Sequence, residues 1–401
     1  MSLLAVDEAL ERILEGVQPL PAETVPLRQA ADRVLASPLA ALRTHPPFHA
    51  SAMDGYAVRA ADIAEAPASL RVIGTSAAGG SFEGEVLPQT AVRIFTGAPL
   101  PKGADTILIQ ENARVIDGDS IEALQAVDAG RHIRRAGLDF AEGNIVLEQG
   151  RILDPAALSL AAAAGHATLP VVRSPLIAII STGDELVPPG VAPGPNQIVA
   201  SNNFGIAALA QRDGARILDL GIVPDDREAF ASAVRRAREA GADILVTLGG
   251  ASVGDRDITR DVLAAEGMTL SFWKIAMRPG KPLIFGRFNG TSVLGLPGNP
   301  VSSMVCAHVF LSPLVRRLAG RIHAPDLRPA ELGAALPAND SRRDYVRASV
   351  ALGPRGLVAT PFPLQDSSML SVLAAANALI IRAPNAPAAE IGDRCQVLML
   401  R

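Results

Sequence analysis

Five loops between residues 181 and 303 concentrate the carboxylates, cations, hydroxyls and glycines from which a reaction site can be built. Ser181-Thr-Gly-Asp-Glu-Leu186, Pro224-Asp-Asp226 and the run from Gly249 to Asp257 each follow an apolar, strand-like stretch. Met277-Arg-Pro-Gly-Lys-Pro282 precedes such a stretch, and Leu296-Pro-Gly-Asn-Pro-Val-Ser-Ser303 joins one to a helix. Asp184, Glu185, Asp225, Asp226 and Asp257 offer carboxylates suited to a hydrated Mg²⁺. Lys274, Arg278 and Lys281 offer cations for oxyanions. Gly249, Gly250 and Gly254 let backbone amides approach an anion closely, and Ser252 adds a hydroxyl. Asn299 and Pro300 have the residue types of a helix cap and first helical position, and a helix N-terminus favours phosphate-like groups. Taken alone, the 249–257 loop reads equally well as a surface turn. Taken together, the loops point to carboxylate–metal–phosphate chemistry.

Loops of this kind must be presented by strands, and the sequence supplies them. Residues 244–248 form a β-branched and aliphatic run that breaks at Gly249, the mark of a buried strand. Around it strand and helix signals alternate. Strands are predicted at 176–180, 215–223, 244–248, 283–285 and 293–296. Helices are predicted at 202–212, 226–240, 259–266 and 301–319. That alternation predicts a doubly wound, mostly parallel α/β sheet whose loops converge at one edge. Before it, residues 6–15 place apolar side chains on one helical face, and an Ala-rich second helix is predicted near 27–35. Short strands at 70–74, 91–95, 106–110 and 113–116, separated by Gly/Pro turns, predict an inserted β-domain. A helix is predicted at 154–166, started by Pro155. After residue 325, stretches at 345–350, 357–360, 378–382 and 394–400 predict a small all-β domain.

The predicted division is therefore a discontinuous N-terminal mixed domain (1–45 plus 138–170) and an inserted β-domain (46–137). An α/β domain (171–325) and a C-terminal, barrel-like β-domain (326–401) complete it. A chain of 401 residues is too long for one core. Apolar residues make up 49%, with no long uncharged apolar run, so no membrane span is expected. The first residues lack a basic segment followed by an apolar core, so no signal peptide is expected. Two cysteines make no disulfide framework and fit a cytoplasmic setting. A net charge of −4 and few aromatics argue against a nucleic-acid surface. The six histidines lack ligand spacing for zinc, and His308 reads as a packed side chain. No Gly-x-x-x-x-Gly-Lys-Ser/Thr motif occurs, which excludes a P-loop. Gly250-Ala-Ser-Val-Gly254 matches Gly-x-Ser-x-Gly, but a long acidic loop is no nucleophile elbow.

In order along the chain, six segments resemble the molybdopterin molybdenumtransferase family, which includes a domain of the scaffold gephyrin. They are Ser51-Ala-Met-Asp-Gly-Tyr-Ala57, Thr96-Gly-Ala-Pro99, Ser181-Thr-Gly-Asp-Glu-Leu186, Gly249-Gly-Ala-Ser-Val-Gly254 with Asp257, Pro279-Gly-Lys-Pro282 and Leu296-Pro-Gly-Asn-Pro-Val-Ser302. The likeness covers essentially the whole chain. It implies an enzyme that takes adenylylated molybdopterin and molybdate, with Mg²⁺, and releases molybdenum cofactor and AMP. It also implies an elongated homodimer with a cleft shared between subunits, and transient contact with the adenylyltransferase that supplies the substrate.

By this resemblance Asp54, Thr96, Asp139, Glu185, Asp225, Asp257, Lys274 and Arg278 are expected in catalysis, with Glu185 and Asp257 on the metal. Thr182, Gly183, Asp184, Gly249, Gly250, Ser252, Gly254, Pro297, Gly298 and Asn299 are expected to hold the nucleotide-linked pterin. Lys281, Pro282, Ser302, an arginine of the last domain (Arg343 or Arg347), and Ser367 or Ser368 are expected around molybdate. Arg278 stands where the family often has lysine, a planar fork in place of a point charge. Two alternatives remain at this point. One is an adenylyltransferase, which would resemble residues 170–325 only; the other is a non-catalytic scaffold.

Overall fold

The computed structural model describes residues 3–250, 258–288, 290–322 and 324–401. The chain divides into two compact units, one of residues 24–31 and 37–170 and one of residues 1–23, 32–36 and 171–401.

The opening helix α1 (Val6–Leu14) packs into the second unit. Its buried stripe of Val6, Ala9 and Ile13 joins the core cluster that contains Phe310, Leu314 and Tyr345. Burial of that stripe, not sequence proximity, decides which unit the helix joins. The Ala-rich helix expected near 27–35 is corrected. Only a 3₁₀ turn, Leu27–Gln29, forms, and Asp32 adopts φ 59°, a left-handed conformation that ends any helix.

In the first unit six strands make one mixed sheet: β1 (Gly55–Val58), β2 (Ala68–Ser76), β3 (Thr90–Ile94), β4 (Thr106–Ile109), β5 (Ala113–Asp117) and β6 (Ser120–Ala123). Their order is β4-β1-β3-β2-β6-β5, and only the β2–β3 pairing is parallel. The period-2 alternation of strands puts Tyr56 and Val58 in one core cluster and Ala57 in another, so both faces are covered. β1 and β6 escaped the sequence reading. β1 runs so close to β4 that a Cβ at Gly55 would meet Leu108 O at 2.1 Å. Helix α2 (Pro155–Ala163) starts as expected, with Asp154 accepting the Ala157 N–H at 2.8 Å.

The second unit is built on six strands: β7 (Leu176–Thr182), β8 (Arg216–Val223), β9 (Ile244–Leu248), β10 (Thr269–Lys274), β11 (Pro282–Phe288) and β12 (Thr291–Leu296). In the order β8-β7-β9-β12-β11-β10, the first four pair in parallel, and β11 is antiparallel to both of its neighbours, β12 and β10. Helices α3 (Asn202–Arg212), α4 (Arg227–Glu239) and α5 (Ile258–Ala265) lie between strands in sequence. Ile177 and Ile179 pack with Ile206 of α3 and with α1 on one face. Ala178 and Ile180 pack with Phe230 and Val234 of α4 on the other. This is the doubly wound arrangement expected.

The helix predicted at 301–319 is interrupted. It runs as α6 (Pro300–Cys306), a π turn (Ala307–Leu311) and α7 (Ser312–Leu318). Pro313 has no N–H to give to the preceding turn, and the Ser312 N–H reaches back five residues to Ala307 O. Burial and the neighbouring charge of Arg212 push His308 in this turn down to about 4, so it packs there as a neutral ring.

The C-terminal strands β13 (Leu327–Leu332), β14 (Arg343–Gly353), β15 (Gly356–Pro361), β16 (Ala378–Arg382) and β17 (Arg394–Met399) close on themselves, because β14 pairs with both β15 and β16. Closure of the five strands into a barrel removes free edges within the ring. The short helix α8 (Leu370–Ala375) sits between β15 and β16 in sequence.

Candidate active site

The carboxyl ends of β7, β8, β9 and β12 open onto a cleft of about 760 Å³. Thr182, Gly183, Glu185, Asp225, Gly249, Gly250, Pro282, Pro297, Gly298, Asn299, Ser302 and Ser368 all line it. Most of the residues expected around the phosphate, metal and oxyanion are thus brought to one place by the sheet. Ser252, Gly254 and Asp257 lie outside the described residues.

Glycine is required at the floor. Gly249 has φ 95°, and a Cβ there would meet Thr182 O at 2.6 Å. A Cβ at Gly183 would strike the Glu185 carboxylate at 2.5 Å, so that side chain folds back over the glycine. Gly298 is looser, since its Cβ would come only within 3.7 Å of Gly249 Cα. Asn202, the first residue of α3, donates to Gly298 O at 2.8 Å and holds the 297–299 turn in place.

On the acid side, the Asp225 N–H donates to Asp184 Oδ1 at 3.1 Å. Burial, reinforced by the charges of Asp184 and Glu185, pushes the Asp225 carboxyl above the usual aspartate range. Negative charge therefore gathers here, and among the described residues none of the three carboxylates has an ion-pair partner, an arrangement that fits a divalent ion. Among the described residues no three acidic, histidine or cysteine side chains come together as a metal cage. Mg²⁺ needs no such cage, because it keeps several waters and takes only one or two carboxylates beside substrate phosphates. Asp226, counted with the carboxylates in sequence, is the N-cap of α4 and accepts the Ala229 N–H at 2.8 Å.

The helix beginning at Pro300 presents its N-terminus to the cleft, but its capping differs from expectation. Asn299 does not cap its own helix. Its Nδ2 donates to Ser367 Oγ at 3.0 Å, and Ser367 O accepts the Val301 N–H at 3.0 Å. The C-terminal barrel thereby supplies one partner for the first helical turn, and Ser368 joins the cleft lining beside it.

Several expected cations are placed elsewhere. Arg278 is held by Asp344 and Asp340, with Asn339 Oδ1 at 3.1 Å. Its guanidinium is thus fixed to the C-terminal domain and outside the cleft lining. Arg343 gives both terminal nitrogens to Asp7, at 2.6 and 2.7 Å, so it is no free oxyanion donor. Arg347 is the buried one of the pair, 2% exposed. Its Nη2 donates to Asp366 O at 3.1 Å, while Nε has no hydrogen-bond partner among the described residues. Lys274 lies with Nζ 3.7 Å from the Trp273 ring centroid. Lys281 is exposed, next to the cleft residue Pro282.

Asp54, Thr96 and Asp139 lie in the other unit. The Thr96 N–H and hydroxyl both donate to Asp54 Oδ1, at 2.7 and 2.9 Å, and hold that carboxyl below the usual range. Asp139 is exposed, and its N–H donates to His45 O at 3.1 Å.

Sequence reasoning missed the cleft's apolar wall of Leu186, Ile198 and Val199. These residues form a two-stranded ribbon, Leu186–Val187 with Ile198–Val199. The Gly/Pro-rich run between them is the available signal, a loop that carries the chain back to pair in parallel before α3.

A parallel sheet with glycine loops, clustered carboxylates and a helix N-terminus at its carboxyl edge defines an anion-handling α/β protein. Residues 4–165 match the MoeA N-terminal region (domain I and II), 178–317 a probable molybdopterin binding domain, and 329–400 the MoeA C-terminal region (domain IV). The chain is 35% identical over 406 residues to the molybdopterin molybdenumtransferase of Bacillus subtilis, covering 99% of this chain and 94% of that one. It is 38% identical over 321 residues to that of Haemophilus influenzae, covering 80% and 78%. The crystal structure of the molybdopterin biosynthesis MoeA protein from Pyrococcus horikosii superposes with a TM-score of 0.85 at 28% identity, covering 100% of both chains. The chain belongs to the molybdopterin molybdenumtransferase family.

Proposed function

We infer that this protein is a transferase of molybdenum cofactor biosynthesis. It inserts molybdate into adenylylated molybdopterin and releases AMP. The observation that carries the reading is the single cleft in which Thr182, Gly183, Gly249, Gly250 and Gly298 meet Glu185, Asp225, Ser302 and Ser368. A substrate joined through a pyrophosphate-like bond presents anionic oxygens, and the glycine backbone and helix N-terminus are suited to receive them.

Mg²⁺, held by Glu185 and Asp257 with Asp225 nearby, would offset charge on that bond. This chain's own groups do the rest. Glycine amides hold phosphate, and the Ile198–Val199 ribbon keeps one wall of the cleft apolar. Ser302, Ser368, Lys281 and the buried Arg347 are the groups we assign to molybdate. Requiring molybdate before the adenylate is released lets binding energy in one pocket drive chemistry in the other.

Asp54, Thr96, Asp139, Lys274 and Arg278 keep the catalytic part assigned by resemblance as proposals. Pairing into a homodimer, a cytoplasmic setting and contact with the adenylyltransferase belong to the same proposal. The test is molybdate-dependent AMP release that is lost in Asp257→Ala. ATP consumption with free molybdopterin would instead favour an adenylyltransferase.

A further inference from the structure

The loop of residues 366–368 reaches the cleft through Ser368, and one side chain outside the cleft helps fix that loop. β15 ends at Pro361, opposite Ala348 of β14. One residue earlier on β14, at Arg347, the Phe362 N–H donates to Arg347 O at 3.0 Å, and a side chain supplies the rest of the pairing. Gln365 Oε1 accepts the Arg347 N–H at 2.9 Å, and its Nε2 donates to Arg347 O at 3.0 Å and to Phe362 O at 2.8 Å. The amide thus acts as a surrogate strand residue. Its oxygen and nitrogen meet complementary backbone groups of one residue, and all three bonds are part-buried.

From that anchor the loop makes three further connections. Arg347 Nη2 donates to Asp366 O at 3.1 Å. Asp366 Oδ1 accepts the Ser368 N–H at 2.8 Å and its hydroxyl at 2.6 Å. Ser367 closes the first turn of α6 through Val301 and Asn299, and Ser368 faces the cleft. Without Gln365 the Arg347 N–H loses this partner in a part-buried place, and only the Phe362 N–H to Arg347 O bond and the Arg347 Nη2 to Asp366 O bond still attach the loop to β14.

We propose that Gln365 is the positioning residue for the oxyanion half of the site. It sets the 366–368 loop so that Ser367 completes the helix N-terminus and Ser368 stands at the cleft. The inference rests on the functional reading above, because it assigns Ser368 to molybdate. Gln365 itself touches no substrate.

The test compares Gln365→Met, which keeps size and loses all three bonds, with Gln365→Glu. The glutamate keeps an acceptor for the Arg347 N–H and sets a second acceptor against two carbonyls. In Gln365→Met the KM for molybdate is expected to rise about tenfold with kcat within about twofold, the scale of one or two lost hydrogen bonds. The KM for adenylylated molybdopterin stays at the wild-type value, and hydrogen exchange at the Val301 amide becomes faster. Gln365→Glu is expected to be at least as impaired. Should Gln365→Met not fold, Gln365→Asn, too short to span both Arg347 groups, gives the same readouts. An unchanged KM for molybdate, or equal rises for both substrates, overturns the proposal. If the wild-type protein releases no AMP with molybdate, the functional reading fails and Val301 exchange alone decides. Unchanged exchange in the variant then overturns the positioning role as well.

Discussion

Arg343, at the start of the longest barrel strand, forms a two-bond ion pair with Asp7 in the first turn of α1, 336 residues earlier in the chain. The pair ties the opening helix to the barrel within one unit, and hydrogen bonding to Arg343 holds the Asp7 carboxyl below its ordinary value of 3.8. A lowered folded pKa gives stability that is present above the unfolded value and lost as pH falls through the folded one. Asp7 is largely exposed, so its screened worth is about 0.5–1 kcal/mol. Asp7→Asn should therefore melt earlier than wild type at pH 7, with the gap closing below pH 3.8. Equal gaps at pH 7 and pH 3 in urea titrations would contradict this.

The two glycines on the cleft floor should respond differently to an added methyl group. Gly249→Ala forces a Cβ to 2.6 Å from Thr182 O at φ 95°, whereas Gly298→Ala meets ordinary contact at 3.7 Å. Strain of this kind costs about 1–3 kcal/mol. Thermal unfolding should show Gly249→Ala lowered by several degrees and Gly298→Ala close to wild type. The reverse order would mean that the close approach of β7 and β9 is not what requires glycine.

Asp225 carries the opposite sign from Asp7. Its folded pKa is raised, so its ionised form opposes folding, and stability is lost as pH rises through that value. Without divalent cations, Asp225→Asn should be more stable than wild type at pH 7, by roughly 0.5 kcal/mol given its exposure. The gain should vanish below pH 3.8. Added Mg²⁺ should stabilise wild type more than the variant. Equal Mg²⁺ shifts in both would remove Asp225 from the cation's surroundings.

Arg347 should separate stability from activity. Burial pushes its pKa below the ordinary arginine value, and its Nε lacks a partner among the described residues. Replacing a buried, incompletely paired charge by an apolar side chain of similar length is often neutral or stabilising by about 1–4 kcal/mol. Arg347→Met is expected to melt no lower than wild type while its KM for molybdate rises at least tenfold, a loss of roughly 1.4 kcal/mol or more. A variant that unfolds with molybdate affinity intact would make Arg347 a purely structural residue.

What the sequence disclosed followed from local physics. Residues 244–248 and 202–212 were read with the bounds they have in the structure, because an apolar run ending at glycine and a helical stretch ending at Arg212 are local signals. The 27–35 helix was over-read from alanine content, and nothing local disclosed the left-handed Asp32. β1 was missed because all four of its residues are buried, leaving no alternation to detect. The cleft residues on β7, β9 and β12 were legible because sheet topology sends those loops to one edge. The partners of Asn299 and Arg343 were not. Ser367 is 68 residues from Asn299 and Asp7 is 336 from Arg343, and such pairings arise only from tertiary packing.

The most direct measurement is AMP release from adenylylated molybdopterin in the presence of Mg²⁺, with and without molybdate. Release that depends on molybdate, and is abolished in Asp257→Ala, is the predicted result. Tight binding of the adenylylated pterin with no AMP release under either condition would contradict the transferase account and make the protein a binding scaffold.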